Sequence, residues 1–291
     1  AGTSVVNYGK INLIGKNSVG MYVIGGASGT STGEVRVGEE GVAYYVGPSN
    51  TMNISGTGYV GEKGAVIYNE GGTVNYTGSG LEASDNATEI ILTDTNATVN
   101  MNNTDINVGK KGTGIYVNGT AEVNNVQTLN GINVGEEGTR IYADITSATN
   151  TSHNISLNGK GSIGILATNT GDMTYGGTIN ATGEGAKGIV TTGGGNAENQ
   201  GTLNMQGTSN IGMYTENATN FVNDISATID MKSGTDAANA IAMYGVNTVS
   251  PGNIENRGTI KLEAKGVGIY GKNATITNSG TIQNALGDNT G

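Results

Sequence analysis

Three kinds of residue in this 291-residue chain carry chemistry that a site would use: a single histidine, scattered carboxylates and a recurring tyrosine. His153, within Thr151-Ser-His-Asn154, has no second imidazole to work with, and its polar linker setting predicts a solvated side chain. Glycoside hydrolysis needs two carboxylates at working separation, one of them an acid. The nine Asp residues contain no Asp-Asp doublet and scatter through predicted turns. A serine nucleophile needs a base, and no Gly-x-Ser-x-Gly elbow with a histidine partner occurs. Gly193-Gly194-Gly195 lacks the Asp of a calcium-binding glycine-rich repeat and occurs once. With no cysteine and one histidine, a Cys/His metal set cannot be assembled. The expectation is a chain that is not an enzyme and uses no metal and no cofactor.

The tyrosines are different, because they recur in a fixed frame. Gly109-Lys-Lys-Gly-Thr-Gly-Ile-Tyr-Val117 has versions at Gly15–Val23, Gly38–Val46, Gly61–Asn69, Gly135–Ala143, Gly159–Ala167, Gly183–Thr191 and Gly207–Thr215, with looser copies ending at Tyr244 and Tyr270. The tyrosine position reads Tyr22, Tyr45, Tyr68, Tyr116, Tyr142, Leu166, Val190, Tyr214, Tyr244, Tyr270. Its gaps are 23, 23, 48, 26, 24, 24, 24, 30 and 26, and the 48 hides one unit whose box is lost near Ile91-Leu92. If these side chains point outward, Tyr116, Tyr142, Tyr214, Tyr244 and Tyr270 offer aromatic surface to a sugar ring or a cation. The plainer expectation is a column of tyrosines stacking only on one another.

Such a frame implies elements that repeat with it, and a fixed period outranks other sequence signals for fold. A second element recurs as Gly258-Thr-Ile-Lys-Leu262, Gly201-Thr-Leu-Asn-Met205 and Gly177-Thr-Ile-Asn-Ala181, alternating apolar and polar as a half-buried strand does. The box Gly-Ile-Tyr-Val is a second short strand. No unit holds an apolar run of period 3.6 long enough for a helix, which removes leucine-rich, ankyrin and helical repeats. Propeller blades need four strands and about 40 residues. About eleven units of about 24 residues therefore predict an all-β fold, a parallel β-helix, with residues 1–291 forming one solenoid segment.

Composition agrees. Glycine is 51 residues, Phe one and Trp none, as a narrow interior with frequent turns demands. A net charge of −10 with no Lys/Arg cluster speaks against nucleic acid. No apolar run approaches a membrane span, and Ala1–Asn7 lacks the features of a signal peptide. The pattern starts and stops mid-unit, which predicts a piece of a longer solenoid.

Stacked equivalents should form columns about 4.8 Å apart. Met21, Tyr44, Ile67, Ile115, Ile141, Ile165, Ile189, Met213, Met243 and Ile269 form a nearly all-aliphatic column that strand alternation turns inward. The same alternation places Val19, Val42, Ala65, Thr113, Thr139, Ile163, Lys187, Ile211, Ile241 and Val267 inward, and the tyrosines with the glycines two before them outward. Asn199, Asn256 and Asn278, each before x-Gly-Thr, predict a structural asparagine ladder at a coil corner. Lys110-Lys111 faces Glu136-Glu137 at one unit's spacing, a solvated turn with opposite charges. Irregular insertions are expected near 24–33, 78–98, 234–240 and 245–253; within 78–98, Leu81–Leu92 keeps phase and reads as a degenerate coil.

The reiterated Gly-x-x-x-Gly-[Ile/Met]-Tyr box alternating with Asn-x-Gly-Thr-[Ile/Leu] resembles the passenger of Gram-negative type V autotransporter adhesins, most of all the very long outer-membrane adhesins of oral anaerobes. The resemblance covers nearly the whole chain. It implies a right-handed parallel β-helix, a cell-surface location outside the outer membrane, and attachment to a glycan or protein receptor on host cells or other bacteria. It also implies a C-terminal translocator barrel in the parent chain, and gives the missing cysteines a reason, since disulfides would hinder threading through a barrel. A passive spacer that lifts a distal head, and a polysaccharide lyase or hydrolase, are the alternatives.

Overall fold

A computed structural model describes all residues except 1, 79, 103, 104, 122–125, 128–130, 146–148, 169, 170, 233–238, 249, 250, 264, 265 and 285–291. Two compact units emerge, Ala1–Ala143 and Asp144–Gly291. Each is a right-handed parallel β-helix, and the described residues include no helix. Together they hold about ten turns at a spacing of about 24 residues. The expectation of about eleven counted the box strands; turns are the intervals between them.

One coil of the first unit runs through Ser28–Ser31, Glu34–Val37 and Val42–Val46. One coil of the second runs through Ala197–Asn199, Thr202–Met205 and Ile211–Glu216. Each of the three strands pairs in parallel with its equivalents one coil before and after, which builds a first, second and third sheet in each unit. Register follows the sequence repeat: Ile11 sits beside Val35, Leu203 beside Ile179, and Tyr244 beside Tyr214 and Tyr270.

The Gly-polar-polar-Gly segment joins second to third sheet. Its second polar residue takes the left-handed conformation, at Glu40 (φ 58°), Lys63 (φ 58°), Lys111 (φ 56°) and Glu137 (φ 53°). A non-glycine residue there costs about 1 kcal/mol. The coil stack offsets it, because the same amide donates to the next turn: Glu40 N–H to Glu62 O (2.9 Å) and Lys111 N–H to Glu136 O (2.9 Å). The charges complement one another, with Lys110 to Glu136 at 3.1 Å and Lys111 to Glu137 at 3.3 Å, both exposed.

Inward side chains fill the coils. Ile115 and Ile141 in the first unit, and Ile165, Ile189 and Met213 in the second, are all fully buried. Each such aliphatic contributes roughly 1.5–3 kcal/mol by leaving water. The asparagine column is a hydrogen-bonded ladder in the second unit. Asn199 Nδ2 donates to Asn223 Oδ1 (2.9 Å), Asn223 Nδ2 to Asn256 Oδ1 (2.8 Å), and Asn256 Nδ2 to Asn278 Oδ1 (2.7 Å). Asn223 lacks the Asn-x-Gly-Thr context and was not predictable from it.

The strand alternation predicted for the third sheet does not hold. The position two before the tyrosine, expected outward, is buried in every coil but those of Gly20 and Gly268, which are half-buried, and the position before it, expected inward, is half-buried or exposed in every coil but Ala65. The reason is a bend. Pairing joins Thr88 to Thr113 and Ile90 to Ile115 but skips Glu89 and Gly114 between them, so two consecutive residues face the interior. Glycine suits that corner because a Cβ at Gly188 would lie 2.5 Å from Gly212 O. Where a larger residue replaces it, at Val66, Glu89 and Arg140, the side chain is wholly buried.

The loop expected at 24–33 contains a strand. Ser28–Ser31 pairs with Ser4–Asn7 and Thr51–Ile54. It carries no large apolar residue because Gly29 makes room for Met52, whose Sδ would be 2.2 Å from a Cβ there. The described residues of 78–98 form a coil in register, as their phase predicts, with Ile91 between Tyr68 and Tyr116. In 245–253 a strand begins at Gly252. Most of 234–240 lies outside the described residues.

Candidate functional site

The third sheet positions the tyrosines. Beyond the bend the alternation resumes, so Tyr116, Tyr142, Tyr214 and Tyr244 stand half-buried next to buried aliphatic predecessors, and Tyr270 is exposed next to a half-buried Ile269. Leu166 takes the same half-buried position, whereas Val190 is buried. Parallel register then stacks the rings. In the first unit Tyr22 lies 4.5 Å from Tyr45, Tyr45 5.4 Å from Tyr68, and Tyr116 5.1 Å from Tyr142. In the second, Tyr214 lies 5.3 Å from Tyr244, and Tyr244 4.9 Å from Tyr270. Each contact is worth about 0.5–1.5 kcal/mol beyond burial. Ile91 interrupts the first unit's ladder.

Stacking decides what the ladder offers a partner. Ring faces inside a run are covered by neighbouring rings, and the edges and hydroxyls face solvent. Those hydroxyls are partly engaged: Tyr45 donates to Glu70, Tyr214 donates to Glu216, and Asn118 Nδ2 donates to Tyr116 Oη at 3.3 Å. The Glu70 carboxylate holds the Tyr45 phenol far above its ordinary range. Partial burial, with Glu216 beside it, pushes Tyr214 up to about 12. Both phenols are therefore neutral donors at physiological pH, suited to hydrogen bonding and not to nucleophilic attack.

The remaining chemistry-bearing residues do not converge. Among the described residues no group of three or more His, Asp or Glu side chains is placed to hold a metal. His153 is half-buried; its Nδ1 shares a hydrogen bond with Thr151 Oγ1 (2.8 Å), and its carbonyl accepts from the Tyr175 hydroxyl (3.0 Å). No helix among the described residues is long and apolar enough to cross a membrane.

Sequence reading missed two features. Glu89 is buried at the bend; its Oε1 accepts from Ala83 N–H (2.9 Å) and its Oε2 has no hydrogen-bond partner among the described residues. Desolvation raises its carboxyl to about 7. The other feature is a groove on the second sheet of the first unit, where Arg36 lies over the Tyr59 ring, its guanidinium carbon 4.1 Å from the centroid. Arg36 and Tyr59 occupy one outward column at one unit's spacing, but columns without repeated identity leave no sequence signal. Comparison with protein families, curated proteins and solved structures returns no match for this chain.

Proposed function

We propose that this chain is a segment of an adhesin passenger displayed on the surface of a Gram-negative bacterium, where its coils serve as attachment surface and stalk. The observation that carries the reading is the agreement of box and coil. The Gly-x-x-x-Gly-[Ile/Met]-Tyr and Asn-x-Gly-Thr boxes that resemble such passengers mark the corners and outward columns of a parallel β-helix. Repetition gives each unit broad lateral faces that carry the same polar groups coil after coil, a geometry suited to gripping an extended partner. The partner is a glycan or protein on a host cell or another bacterium; the acidic balance disfavours nucleic acid. Export belongs to a translocator barrel elsewhere in the parent chain.

A second reading, the passive spacer, is favoured by the covered ring faces of the tyrosine ladder. One experiment separates the two. Beads coated with the full 291-residue chain are tested for attachment to epithelial cells and to a panel of oral bacteria. Adhesion predicts attachment well above bare beads, and loss on substitution of folded surface positions. Attachment no greater than bare beads removes the adhesin reading and leaves the spacer.

A further inference from the structure

The groove on the second sheet of the first unit has a built, amphipathic character found nowhere on the tyrosine ladder. It lies at the C-terminal ends of Lys10–Leu13, Glu34–Val37 and Thr57–Val60, has a volume of about 310 Å³, and extends to Ser84. That volume falls at the lower end of the range of small-ligand sites. Its floor is backbone, because Gly38 and Gly61 carry no side chain where the coils approach. A Cβ at Gly38 would sit 2.5 Å from Ile14 O, and one at Gly61 2.7 Å from Glu39 N. One rim is apolar: Ile14 is 86% exposed, a large aliphatic left open to water. The other rim is Arg36 lying on Tyr59.

Arg36 is held ready. The Tyr59 ring supports its plane, and its Nε donates to Glu34 Oε1 at 3.3 Å. Glu34 is shared with Lys10 at 2.8 Å, and Lys10, then Arg36, hold its carboxyl below the usual range. These three charges sum to one net positive, set against the exposed Glu82 that is registered beside Tyr59 on the next coil. The nearby Glu39 is itself matched by Lys16 at 2.7 Å. With Nε engaged, the guanidinium still has its two terminal nitrogens to present. That pair of N–H groups is the fork that matches two carboxylate oxygens, and a preordered fork loses little entropy on binding.

We propose that this groove binds a carboxylate-bearing sugar residue. The carboxylate pairs with the Arg36 terminal nitrogens, and the sugar's C–H face lies against Ile14 and the exposed edge of Tyr59. The fit rests on one ligand supplying both halves, a fixed negative charge and a compact apolar face. A fatty acid has the first with too long a tail for 310 Å³, and a neutral sugar lacks the charge. The assignment narrows the adhesin reading to a ligand class and depends on it only for biological setting. The chemistry is shared by sialylated and uronic-acid glycans.

The test is equilibrium binding to the full chain, followed by titration calorimetry and by saturation-transfer NMR. The probes are sialyllactose, a hyaluronan hexasaccharide, lactose as the neutral control, and a glutamate-rich peptide. At least one acidic sugar should bind at least about tenfold more tightly than lactose, and which one does identifies the source. Arg36→Gln should weaken it by about tenfold or more, with Arg36→Lys intermediate because charge survives and the fork does not. Circular dichroism verifies that these exposed-site variants keep their fold. Equal binding of lactose, binding unaffected by Arg36→Gln, tighter binding of the peptide, or no binding of either acidic sugar overturns the proposal. Sugar binding without bead attachment would remove the adhesin reading and leave this site standing; bead attachment with no binding of either acidic sugar would do the reverse.

Discussion

The two units use one coil plan, but their first-sheet corners end differently, one in apolar residues and the other in asparagines. In the first unit the column runs Asn7, Ser31, Ile54, Tyr76, Met101, so most of it is apolar, and Tyr76 buries a ring whose hydroxyl accepts from Gly80 N–H at 2.7 Å. In the second unit the equivalent column starts with Thr151 and a buried Tyr175 and then becomes Asn199, Asn223, Asn256 and Asn278, an amide chain in which each side chain serves the next. The bend column differs the same way. The second unit keeps Gly164, Gly188, Gly212, Ala242 and Gly268, whereas the first admits Val66, Glu89 and Arg140. An apolar corner needs only volume, so it tolerates variety. An amide ladder needs the same group on every rung, because each buried N–H must find an acceptor one coil away.

The sharpest way to break this comparison is to remove one rung. Asn223→Leu deprives Asn199 of its acceptor and Asn256 of its donor in a buried setting, at a cost of about 2–4 kcal/mol. Ile54→Val in the apolar column should cost only about 0.5–1.5 kcal/mol. Native-state hydrogen exchange on the two variants compares them, and equal costs would erase the distinction between the corners.

A second test exploits Glu89. Its folded-state carboxyl is raised to about 7 from 4.5, so the ionised form is penalised. The penalty is fully present above pH 7 and vanishes as pH falls from 7 towards 4.5, so stability declines as pH rises through that window. Glu89→Gln should stabilise the first unit by up to about 3 kcal/mol at pH 8 and by almost nothing at pH 4.5. Urea denaturation at the two values reads it; a pH-independent difference would mean that the carboxyl is not desolvated.

The smallest effect belongs to the turns. Lys110→Glu faces Glu136 with a like charge at an exposed pair, which should cost about 0.5 kcal/mol and shrink in high salt. A cost above about 2 kcal/mol would give the turn charges a structural weight that exposed pairs lack.

The period, the strands and the inward aliphatic column were legible because turn chemistry recurs: a glycine at each tight approach and a polar pair between. The bend was not legible, since alternation assumes a straight strand and Gly114-Ile115 face inward together. Ser28–Ser31 was hidden because its inward positions are Gly29 and Ser31, which make room where other coils fill it. The outward tyrosines could be read from parity with their aliphatic neighbours. The pairing of Arg36 with Tyr59 could not, because contact across coils between unlike residues leaves no repeat to find.

The central claim, that coils stack in parallel at one repeat's offset, is tested most directly by engineered disulfides, for which the cysteine-free chain is a clean background. Thr202 and Thr228 are registered partners on adjacent coils, at a strand spacing within disulfide reach. Thr202→Cys with Thr228→Cys should close readily under mild oxidation. Thr202→Cys with Lys232→Cys, displaced by four residues along the strand, should not. Closure of the displaced pair in preference to the registered one, or of neither, would contradict the stacked-coil account.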